Sequence, residues 1–140
     1  MNSILEIIET RKMYNFLILY IIYINTKGAI NRSYSHTRKD IKSLFGEDYN
    51  HEDYSLSVNY LYNEGYIPSS TIANSITVSG RHYFENWILD FSKATDEEKI
   101  ILNEGLSEKF RKFLKLGADG IKMINNAVDL IKAINKFSES

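Results

Sequence analysis

Residues 13–24 are apolar apart from Asn15, and a stretch of that length admits few placements. It falls short of the ~18–20 residues that span a bilayer as a helix. A signal peptide needs a cationic start and a small-residue cleavage site. This chain instead starts Met1-Asn2-Ser3-Ile4, and the run closes on Asn25-Thr26-Lys27-Gly28. Phe16, Leu17, Tyr20, Ile21 and Ile24 recur at helical spacing, and the other faces are apolar too. The run is therefore expected to be the central helix of a core, ended by Gly28. Ser3 can cap a preceding helical stretch with Glu6 and Glu9 in its early turns. Whether that stretch continues through Arg11-Lys12 into the apolar run is open at this level.

At 140 residues, 44% apolar and 25% charged, the chain can form one globular domain with an appendage and does not have a disordered composition. A net charge of −1 gives no overall pull toward nucleic acid or membrane, so any such attraction must be local. Without cysteine there are no disulfides, thiolate metal sites or catalytic thiols. That suits a reducing cytoplasm, where the protein is expected to work. A single proline among many Ile, Asn, Tyr and Lys residues suggests an AT-rich coding sequence, as in a low-GC bacterium, a phage or another mobile element.

Thr37 and Asp40 form a capping-box-like start for a short helix ending at Gly46, with Ile41, Leu44 and Phe45 as its buried stripe. Asn50 and Asp53 repeat the signal for a helix over residues 51–64. Its expected buried face is Tyr54, Val58, Leu61 and Tyr62, and Gly65 takes the left-handed exit. Residues 68–78 alternate weakly around Ala73-Asn74-Ser75, which predicts a hairpin with a small tip. Ser79 then caps a fourth helix carrying Phe84, Trp87, Ile88 and Phe91 on one side.

A helix stopped by glycine, a short hairpin and a helix opened by Ser79-Gly80-Arg81, with aromatic or aliphatic residues at each joint, resembles the end of a winged helix-turn-helix domain. The resemblance implies a mainly α (α+β) fold: a winged helix over residues 1–92 with a β-hairpin wing, a strand within residues 29–34, and a helical extension over residues 93–140. In that family the third helix enters the major groove. By resemblance Glu52, Leu56, Asn59, Tyr60 and Asn63 would face it, with Asn59, Tyr60 and Asn63 as base readers, since an amide can pair with adenine in a bidentate manner. Arg38, Lys39 and Lys42 would supply phosphate contacts, near Lys27 and Arg32, and Arg81 would add one from the next helix. Against this, residues 47–80 carry no lysine or arginine but hold Glu47, Asp48, Glu52, Asp53 and Glu64. Acids at a helix start also complement its dipole.

The character of the chain changes after Ser92. Thr95-Asp96-Glu97-Glu98 is a capping box, followed by helical patterns over residues 96–104 and 107–137. In the longer one Phe110, Phe113, Leu114 and Ile121 share an apolar stripe with Ile124, Val128 and Ile131. That stripe is expected to mediate self-association, because a two-fold dimer would match a palindromic site. The lysines of the opposite face admit a second reading, adsorption to a membrane surface, and a third, insertion into a groove of a partner protein. Packing or self-association is preferred to both.

His36, His51 and His82 are scattered, and no phosphate loop, nucleophile elbow or metal-ligand spacing occurs. The chain is expected to be non-enzymatic, with no catalytic residue, cofactor or metal. The expected function is sequence-specific binding of double-stranded DNA by a homodimeric transcriptional regulator. The alternative is a protein-interaction adaptor working through the exposed pair Leu56 and Tyr60.

Overall fold

A computed structural model describes residues 4–93, 129–134 and 136. The chain divides into two compact units, residues 11–84 and residues 1–10 with 85–140. Over residues 4–93 the chain forms α1 (Ile4–Thr26), α2 (Thr37–Phe45), α3 (His51–Asn63) and α4 (Val78–Lys93), with a 3-10 turn at Gly46–Asp48 between α2 and α3.

The first helix is one piece. Every residue from Phe16 to Tyr23 is buried, as a helix apolar on all faces must be when it sits at the centre of a core. At its end the Asn25 amide and the Thr26 hydroxyl donate back to the carbonyls of Ile21 and Ile22, at 2.8 and 2.7 Å. The Gly28 N–H reaches the Tyr23 carbonyl at 2.9 Å, satisfying a carbonyl the helix itself leaves open. Phe84 closes the core of the 11–84 unit, its ring 5.0 Å from that of Tyr23 and 5.9 Å from that of Phe16. No helix among the described residues is long and apolar enough to cross a membrane.

In α2 only Thr37 and Ile41 are buried, and Leu44 is 42% exposed. The expected capping box is absent: no side chain caps the helix, and the Asp40 carboxylate accepts the Tyr34 hydroxyl at 2.5 Å instead. For α3 the cap forms as expected, the Asn50 side-chain oxygen accepting the Asp53 N–H at 2.9 Å. The Asn50 N–H in turn donates to the Tyr14 hydroxyl at 2.9 Å, and the Tyr14 ring stacks on Phe45 at 4.3 Å. Replacing Asn50 with alanine should cost about 1 kcal/mol in urea denaturation; an unchanged midpoint would show that the cap contributes nothing. The buried face of α3 is Tyr54, Ser57, Val58 and Leu61, so Ser57 stands where Tyr62 was expected.

The expected β-hairpin and the strand within residues 29–34 are not formed: no residue is in a strand among those described, and the fold is mainly α. The backbone groups that a ladder would need are used elsewhere. Pro68 has no N–H, and the Ser69 hydroxyl accepts the N–H groups of Thr71 and Ile72 at 3.2 and 3.3 Å. What remains are separate ties, Tyr34 N–H to the Asn74 carbonyl at 2.7 Å and Thr77 N–H to the Tyr66 carbonyl at 3.0 Å. Buried Ile67, Ala73 and Ile76 anchor this connection, at spacings that do not follow the two-residue period of a strand. Thr77, not Ser79, caps α4: its hydroxyl accepts the Gly80 N–H at 3.0 Å and donates to the Gly65 carbonyl at 2.5 Å. Gly65 itself, at φ +80, makes the left-handed exit from α3 that an L side chain would strain.

In the other unit, Ile88 and Ile131 are fully buried and Glu85 is nearly so; residues 129–134 are helical. Phe110, Phe113, Leu114, Ile121, Ile124 and Val128 lie outside the described residues.

Candidate nucleic-acid interface

The two helices α2 and α3 are joined through residues 46–50, and each shows solvent the face its apolar residues do not use. On α2, Arg38, Lys39 and Lys42 are exposed. On α3, Asn59, Tyr60 and Asn63 are exposed, opposite the stripe that ends in Leu61. Leu56 and Tyr60, at 36% and 47% exposed, leave apolar surface uncovered on the same helix.

Arg38 and Asn59 come together. Both line an open cleft of about 480 Å³, walled by the start of α2, one side of α3 and residues 70–74. Lys39, Lys42, Tyr60 and Asn63 lie outside it. Arg81 is half-buried on α4 and already has a partner within the chain, so it is the least available of the expected cations. Ile131, expected on a self-association stripe, is buried within the single chain.

Several lining residues carried no signal in the sequence. Ser55 reaches the cleft because it precedes Asn59 by one helical turn. Ser70 and Thr71, expected within the hairpin ahead of its tip, line it as well. His51 also lines it, with Nδ1 3.0 Å from the Tyr49 hydroxyl and its ring stacked near Tyr54 at 6.2 Å.

No family model, curated protein or solved structure matches this chain. The site must be read from its own chemistry. Burial pushes the Tyr54 phenol up to about 12, with nearby Tyr49 adding to the rise and the Arg38 guanidinium opposing it. The same burial raises Tyr49, again against Arg38. Arg38 thus acts electrostatically on both hydroxyls. Tyr34 is raised chiefly because its hydroxyl donates to the Asp40 carboxylate. Among the described residues no group of three His, Asp or Glu side chains converges as metal ligands would.

On the far side of α3 a separate aromatic patch forms. The Tyr66 and Tyr83 rings stack at 4.4 Å and 15°. Burial raises the Tyr83 hydroxyl, and neighbouring Tyr60, Tyr66 and Glu64 raise it further. Tyr60 thus acts on this patch electrostatically and does not line the cleft.

Proposed function

We propose that α2 and α3 together contact double-stranded DNA and that the protein is a non-enzymatic, dimeric transcriptional regulator. The observation that carries this reading is the convergence of Arg38 and Asn59 on one face. A phosphate-binding cation and an amide able to read a base edge line the same cleft there. Local charge supports it as well. The 11–84 unit has eight Lys and Arg against six Asp and Glu, although the whole chain is net negative. Arg38, Lys39 and Lys42 project from α2, while Glu52 and Asp53 sit in the first turn of α3, where they complement the helix dipole. Dimerisation through the C-terminal stripe, without the buried Ile131, belongs to the same proposal and rests on its sequence pattern.

A salt titration of binding to a mixed-sequence duplex tests the reading. Contact through the three exposed α2 cations Arg38, Lys39 and Lys42 gives a log–log slope of about −2.7 per protomer, and replacing Arg38 with alanine shallows it by about 0.9. If no duplex is retained even at low salt, the regulator reading fails. The exposure of Leu56 and Tyr60 supports a second reading, a protein-docking adaptor. It predicts that Tyr60→Ala leaves DNA retention untouched and abolishes partner capture.

A further inference from the structure

The geometry points to a second use of the α2–α3 cleft: it is a site for a small organic phosphate of mononucleotide size, whose binding displaces DNA. The displacement rests on the DNA reading above; the binding does not.

A backbone phosphate held at a helix surface needs no recess, yet this cleft has about 480 Å³ and three walls, within the ~300–1,000 Å³ of small-molecule sites. Its floor is apolar, formed by buried Tyr54, Val58 and Ala73. Arg38 is the one lysine or arginine lining it, and no carboxylate does so. One planar guanidinium without a competing acid suits a single phosphate taken in a two-bond fork. The Tyr34 hydroxyl is already bound to Asp40, so what Tyr34 brings to the cleft is its ring. His51 is likewise engaged through Nδ1. Tyr34, His51 and Tyr54 give the cleft an aromatic lining for a planar base to pack against, and the Asn59 amide can hydrogen-bond the base edge. A ligand so held occupies Arg38 and Asn59, the two groups that the DNA reading places on the duplex.

The test is calorimetric titration of the full chain, free of DNA, with adenosine monophosphate and, separately, with adenosine. The monophosphate should bind one per chain, and adenosine at least about tenfold more weakly, because the charge-assisted contact is gone. Arg38→Met should erase that difference while leaving the affinity for adenosine unchanged. Ser70→Trp fills the cleft from an exposed position and should lose the monophosphate. Circular dichroism confirms that each variant is folded. At constant ionic strength the monophosphate should raise the apparent Kd for duplex in the parent protein, and adenosine at the same concentration should raise it less. No heat up to about 10 mM monophosphate, equal binding of the two probes, or full binding by Ser70→Trp overturns the site. Binding of the monophosphate with no effect on DNA overturns the displacement. A protein that binds the monophosphate but no DNA keeps the site and loses the regulator reading; DNA binding without the monophosphate does the reverse.

Discussion

Gly80→Ala should destabilise the 11–84 unit by about 2–3 kcal/mol. A methyl group at that position would lie 2.8 Å from the Tyr66 carbonyl carbon and 2.9 Å from Ile76 Cγ1, and closer still to the Tyr66 oxygen. Alanine is worth about 1 kcal/mol over glycine within a helix, so the steric cost must exceed that gain before any loss is seen. It should, because the obstacle is backbone and cannot swing aside. The Tyr66 carbonyl accepts the Thr77 N–H, the Tyr66 ring is stacked on Tyr83, and the Gly80 N–H is itself held by the Thr77 hydroxyl. Relief would require the turn after α3 to move away from the start of α4. Urea denaturation followed by circular dichroism measures the effect. A variant as stable as the parent, or more so, would show that this close approach is not a constraint.

Stability should also fall steeply with alkali. Burial raises the phenols of Tyr14, Tyr20, Tyr49, Tyr54, Tyr66 and Tyr83 above their ordinary value of 10.0, and Tyr54, the furthest shifted of them, reaches about 12. The protonated phenol is the neutral form. Above pH 10 the unfolded chain therefore releases protons that the folded chain retains, and the unfolded state is favoured. The contribution of Tyr54 is fully present below pH 10 and is lost as pH rises toward 12. It amounts to something on the order of 2–3 kcal/mol. Urea midpoints at pH 8, 10 and 11 should decline progressively in the parent. Tyr54→Phe keeps the buried ring and lacks the titrating group, so its midpoint should decline less. Parallel declines in the two proteins would mean that Tyr54 is not held neutral by burial.

The helices were legible in the sequence wherever pattern and cap agreed. Residues 13–24 are apolar on every side and became the buried centre of α1; Asn50 and Asp53 marked the start of α3 and make its cap. Misreadings arose where a local signal had a competitor in the fold. Thr37 and Asp40 have the spacing of a capping box, but Asp40 is claimed by the Tyr34 hydroxyl. Residues 68–78 alternate like a strand, but the Ser69 hydroxyl takes the N–H groups that pairing would need. Tyr62 fits an apolar stripe by type and is 44% exposed, while Ser57 is buried with its hydroxyl unpartnered. Periodicity alone fixes the middle of a buried face and not its edges. The candidate site was legible in part. Arg38 and Asn59 were implied by the winged-helix resemblance, but the cleft that both line depends on where residues 70–74 lie, and no short-range pattern encodes that placement.

The association of α2 and α3 with DNA is tested most directly by amide chemical-shift mapping of the full chain titrated with a mixed-sequence duplex at low salt. The largest changes should fall on Arg38, Lys39 and Lys42 and on the exposed face of α3 at Asn59 and Asn63, leaving the buried residues of α1 unmoved. An unchanged spectrum, or changes confined to Tyr66, Tyr83 and their neighbours, would contradict it.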